Sequence, residues 1–88
     1  MILNSIKVGS VVISSAGHDC GRAMAVTAVE GNVVYVADGK ERKLTSPKKK
    51  NIKHVRPTNG SVELSGLTDK KLRQTLRAFS SFVLQESE

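Results

Sequence analysis

Apolar residues fall in short runs through the first two thirds of the chain and at helical spacing through the last third. The first run, residues 8–14 (Val-Gly-Ser-Val-Val-Ile-Ser), is rich in β-branched side chains that suit a pleated strand. A polar loop over residues 16–21 follows, with Gly17 and Gly21 suited to positive φ or a close backbone approach. Residues 22–30 predict a second strand. Its alanines dilute the strand signal, but nothing caps a helix here, and apolar residues on both faces leave its phase open. Gly31-Asn32 is a hairpin signal leading to a third strand over 33–37. Asp38-Gly39 is a stronger one, leading to a short charged fourth strand over 40–44. Pro47 breaks regular pairing and predicts a loop over 45–51. Residues 52–56 (Ile-Lys-His-Val-Arg) alternate apolar and polar and predict a fifth strand, stopped by Pro57. Five short strands joined by tight turns point to a small barrel or sandwich, which must curl to avoid open edges.

Residues 58–66 read as a linker, with Asn59-Gly60 and Gly66 as its flexible points. Thr68 then has the chemistry of a helix N-cap, and Asp69 meets the positive end of the helix dipole. Leu72, Leu76, Phe79 and Val83 share one helical face, predicting a helix from Asp69 to Gln85. That face, with Phe82 beside it, is expected to pack on the open end of the chain's own barrel. The alternative is a partner-binding surface. A domain this small buries only about 60% of its unfolded surface and needs the extra burial.

The length, 88 residues, allows one folded domain. Tyr35, Phe79 and Phe82 are the only aromatics, so Val, Ile, Leu and Ala must build the core. Cys20 is the sole cysteine, which excludes an internal disulfide and fits a reducing cytoplasm. The N-terminal residues offer no secretory signal, and no apolar run has membrane-spanning length.

Charge changes the picture most. The net charge is +6, and it resides entirely in residues 1–57; residues 58–88 hold four cations and four acids. Residues 40–56 carry Lys40, Arg42, Lys43, Lys48, Lys49, Lys50, Lys53 and Arg56 against one acid, Glu41. So local a basic stripe is the footprint of a polyanion binder, because neutralising phosphates releases condensed counterions. On a barrel it would place several cations on one rim. The same charges also blunt a sheet edge against aggregation. Arg22 reads equally as a phosphate donor and as an ordinary residue of the turn. Gly17, His18 and Gly21 are candidate loop contacts, although the glycines need only satisfy the turn.

Other chemistry finds little support. His18, Cys20 and His54 lack the paired spacing of a zinc site, so no metal is expected. Asp19 beside His18 and Cys20 cannot form a dyad, since neighbours on an extended loop point apart. No P-loop is present, the acids are scattered, and no small-molecule substrate or cofactor is expected. Tyr35 alone in the strands does not make a base-stacking platform for a single strand, which favours recognition of a polyanion by backbone and shape.

Residues 9–26, Gly-Ser-Val-Val-Ile-Ser-Ser-Ala-Gly-His-Asp-Cys-Gly-Arg-Ala-Met-Ala-Val, resemble the KOW motif: strand, loop with a fixed glycine, strand. Gly17 and Gly21 match its glycine spacing, and Cys20 stands where many such motifs carry a basic residue. The stretch from Val34 to Lys40, then Arg42-Lys43-Leu44, Pro47 to Asn51, and Lys53-His54 extend the match. Together, over residues 8–57, they resemble bacterial KOW-domain proteins similar to a large-subunit ribosomal protein of archaea and eukaryotes, the fourteen-e type. The resemblance implies an SH3-like barrel and binding to RNA, above all structured ribosomal RNA, with ribosomal proteins as further partners. The tail, 67–87, lies outside the KOW resemblance.

The expected molecule is therefore mainly β. A five-stranded SH3-like (KOW) barrel over residues 1–57 precedes a linker over 58–66 and a C-terminal helix over 67–88. It is expected to be a cytoplasmic RNA-binding protein and not an enzyme. It would dock Arg22, Lys40, Arg42, Lys43, Lys48, Lys49, Lys50, Lys53 and Arg56 on an RNA backbone. A protein-interaction module, or a transcription-linked module binding DNA, is the alternative on the same fold.

Overall fold

The computed structural model describes residues 6–17 and 20–86, with 79–86 described as helical backbone only. Strands β1 (Ser10–Ser14), β2 (Ala23–Glu30), β3 (Val33–Ala37), β4 (Lys48–Asn51) and β5 (Val55–Ser61) precede one helix, α1 (Asp69–Glu86). All pairings are antiparallel, in the order β4-β3-β2-β1-β5. The chain passes from one edge strand to the other through a single 3₁₀ turn, Ile52–His54. A flat sheet would hold the outer strands about 19 Å apart at ~4.8 Å per step. Three 3₁₀ residues advance the chain by only about 6 Å. The sheet must therefore curl, and its two edges meet at that turn.

The curl separates two cores. Inside lie Val12, Met24, Val26, Val34, Val36 and Val55, with Ile6 and Ile52 against them. On the outer face lie Val11, Ala23, Ala25 and Ala37, covered by Leu72 and Leu76 of α1. Both faces of β2 are thus buried from Ala23 to Val26, which is why its apolar residues show no alternation there. The alanines that dilute its strand signal stand where the helix rests. The helix covers this outer face rather than an open end of the barrel. Thr68 caps it, its Oγ1 accepting from the Lys71 backbone N–H at 3.2 Å. Phe79, Phe82 and Val83 lie outside the described side chains.

Three local expectations are corrected. Residues 40–44 are not a strand. The Asp38 carboxylate accepts from the backbone N–H of Lys40 (2.8 Å) and Arg42 (2.9 Å), so their donors serve a tight turn and not a ladder. Residues 48–51, expected in a loop, form edge strand β4 directly after Pro47, a proline position that strands tolerate. Pro57 does not end the last strand. β5 is an edge, its register shifts by a bulge opposite Ser10 and Val12, and it runs to Ser61, taking in residues read as linker. Thr58 Oγ1 donates to the Val11 carbonyl (2.7 Å), and the Val62 N–H donates to the Gly9 carbonyl (2.7 Å).

Candidate nucleic-acid interface

The turn after β3 presents Lys40, Arg42 and Lys43, all exposed. Asp38, buried beneath them, organises the turn. Its second carboxylate oxygen takes the Arg22 guanidinium at 3.1 Å, and Arg22 also reaches Glu41 at 3.3 Å. Burial is the largest single influence on the Asp38 carboxyl and pushes its pKa up. The Arg42 and Lys40 N–H groups, then the hydrogen bond and charge of Arg22, together outweigh it and hold the group below its ordinary value. Arg22 is thus committed to bracing the turn that carries three other cations.

The three lysines of β4 do not act alike. Lys48 and Lys50 stand opposite Val36 and Val34 of the inner core, whereas Lys49 stands opposite Tyr35 on the outer face. Lys50 is buried, its ammonium donating to the Ala16 carbonyl at 3.0 Å. Lys48 is half-buried and Lys49 exposed. Lys53 is exposed on the 3₁₀ turn, and Arg56 is exposed on β5 opposite Ile13. The cations therefore do not share one rim. One group sits on the turn after β3. A second, Lys53 and Arg56, flanks the seam at the other end of the β3–β4 hairpin. Lys49 lies between them, and four strand residues span about 13 Å.

Gly17 and Gly21 both have φ of +87°, and a side chain at Gly21 would meet no atom within 4 Å, so backbone conformation alone explains that glycine. The loop closes through Gly21 N–H to the Ser14 carbonyl (2.7 Å). His18 and Asp19 lie outside the described residues. Among the described residues no three His, Cys, Asp or Glu side chains gather, and no helix is long and apolar enough to cross a membrane.

Sequence reasoning missed the basic face of α1. Residues 58–88 are neutral overall, yet 70–78 hold Lys70, Lys71, Arg73 and Arg77 and no acid. A shorter counting window would have found them. All four are exposed, and Arg73 donates to the Gly39 carbonyl at 2.7 Å.

The large ribosomal subunit protein eL14 of Pyrobaculum calidifontis is 32% identical over 75 residues, covering 83% of this chain and 73% of that protein. The chain belongs to the eL14 family. The eL14 of Methanococcus vannielii is 31% identical over 75 residues, covering 84% of this chain and 92% of its own. That of Sulfolobus acidocaldarius is 28% identical over 74 residues. No family model matches the chain. A match to 83% of 88 residues cannot end before residue 73, so the eL14 similarity passes β5 and enters α1. At least the first turn of the helix that the KOW resemblance left out is within the eL14 match.

Proposed function

We propose that this eL14-family protein binds the phosphate backbone of structured ribosomal RNA. It acts as a ribosome-associated protein of the cytoplasm, with ribosomal proteins as neighbours and no catalytic role. The bacterial setting implied by the KOW resemblance belongs to this reading; the relatives named above are archaeal. One observation carries the proposal. In a family named for the large ribosomal subunit, six cations, Lys40, Arg42, Lys43, Lys49, Lys53 and Arg56, stand exposed along one hairpin and its seam. Phosphate contacts fix position without reading bases, so no aromatic platform is needed. Lys48, half-buried on the edge strand, would support the same track. Arg22 and Lys50 hold the two loops that frame it.

Fluorescence anisotropy with a structured ribosomal RNA fragment and a DNA duplex of matched length tests the reading. Preference for the RNA, lost in a Lys40→Ala, Arg42→Ala, Lys43→Ala variant, is the expected result. Equal binding to both would indicate a general or DNA-directed polyanion binder. No binding at low salt would refute the nucleic-acid role.

A further inference from the structure

Between α1 and the turn after β3 lies a cleft of about 240 Å³. Arg22, Lys40, Arg73 and Arg77 surround it, Asp38 is the only acid among the described residues of its wall, and Ala23 and Leu76 form an apolar floor. We propose that this cleft is a further phosphate site, which shares Lys40 with the hairpin track and seats one phosphodiester of the bound RNA between that turn and the helix. The proposal rests on the RNA-binding reading above and adds a contact from the helix.

The charges lining the cleft favour an anion, with four cations around one carboxylate. Asp38 is already answered by Arg22 and by two backbone N–H groups. Among the described residues, no carboxylate pairs with Lys40, Arg73 or Arg77. Arg73 and Arg77 are four residues apart on one helical face, where like charges repel. A bound phosphate would relieve that repulsion, and the apolar floor lowers the local dielectric and strengthens the attraction.

The site is also held in place. Arg73 spends one donor on the Gly39 carbonyl, which fixes its guanidinium across the cleft and leaves the rest of its five-donor fork for a ligand. The Asp69 carboxylate accepts from the Leu44 N–H at 2.8 Å. Gly39, at φ +79°, packs so closely on the Asp69 carbonyl that a side chain there would collide with it. These contacts tie the first turn of α1 to the turn after β3, so the two walls are fixed relative to each other. A planar, forked guanidinium matches phosphate geometry better than an ammonium does.

Arg77→Ala in the full-length protein is the direct test. Arg77 is exposed, so the variant should keep the urea midpoint of the wild type, which is checked first. Salt titration of binding to the structured ribosomal RNA fragment should then give a log–log slope shallower by roughly 0.7–0.9, the share of one phosphate. Arg77→Lys, keeping the charge, should restore most of it. An unchanged slope in Arg77→Ala, while a Lys49→Ala, Lys53→Ala, Arg56→Ala variant loses slope, would overturn the cleft and leave the hairpin reading standing. No RNA binding by the wild type would remove both. Inorganic phosphate titrated into the free protein, read by the side-chain N–H signals of Arg73 and Arg77, separates the two sources of phosphate. A response there without any slope change would also overturn the RNA assignment, in favour of a small free anion.

Discussion

Replacing Asp38 tests how the basic turn is built. One carboxylate oxygen accepts two backbone N–H bonds, at 2.8 and 2.9 Å, and the other accepts from Arg22 at 3.1 Å. Hydrogen bonds to a charged group contribute about 1.5–3 kcal/mol each. The freed N–H groups belong to exposed residues that water can reach, so the lower end applies, and the pair is worth about 3 kcal/mol. The Arg22 side chain is 36% exposed, so solvent screens that ion pair and about 0.5 kcal/mol is a fair share. Asp38→Ala should therefore cost about 3–4 kcal/mol, a large part of the ~5 kcal/mol typical of a marginal domain. Asp38→Asn keeps one acceptor for the backbone but turns an amide donor toward Arg22, and should cost about 1 kcal/mol. Because the folded carboxyl titrates below its ordinary 3.8, its contribution is complete above that value. It is lost as pH falls through the lower folded value. The gap between wild type and Asn should therefore close in acid. Urea unfolding of the three proteins, at neutral pH and along an acid series, measures this. An Asp38→Ala change under 0.5 kcal/mol, or a gap that widens in acid, would show that the carboxylate does not hold the turn.

Other substitutions separate structural from binding roles. Gly39→Ala should destabilise by 2 kcal/mol or more, since φ +79° costs an L-residue about 1–2 kcal/mol before the collision with Asp69 is counted. Thermal unfolding reports it. Leu72→Ala, at a fully buried side chain on the outer core, should cost about 2–5 kcal/mol in the same assay. Lys53→Ala should flatten the salt dependence of RNA binding by about one contact, whereas Lys50→Met should leave that slope unchanged. The buried Lys50 ammonium serves Ala16, so its loss should appear in stability instead.

The parts of the fold legible in the sequence are those where side-chain chemistry and local geometry agree. Runs of β-branched residues located β1 and β3, and Thr68 with Asp69 located the start of α1. The misread parts depend on contacts between segments. The Asp38-Gly39 signal announced a turn, but only the reach of the Asp38 carboxylate to Lys40 and Arg42 makes that turn long enough to consume residues 40–44. Pro47 and Pro57 looked like breaks because edge position, which lets a strand tolerate proline, is a property of the whole sheet. Charge density located the basic segment, but strand alternation decided that Lys49 faces out while Lys50 turns inward. The helix cations were hidden by averaging over a tail whose acids lie elsewhere, and their approach to Arg22 and Lys40 depends on Leu72 and Leu76 docking on alanines.

Exposed cations along the β3–β4 hairpin and the sheet seam are proposed to neutralise RNA phosphates. The most direct test is a salt titration of binding to a structured ribosomal RNA fragment, comparing wild type with Lys49→Ala, Lys53→Ala, Arg56→Ala. Steep salt dependence in the wild type and a log–log slope flatter by about 2–3 in the variant are the expected results for three lost phosphate contacts. Equal slopes in the two proteins, or wild-type binding indifferent to salt, would contradict this role.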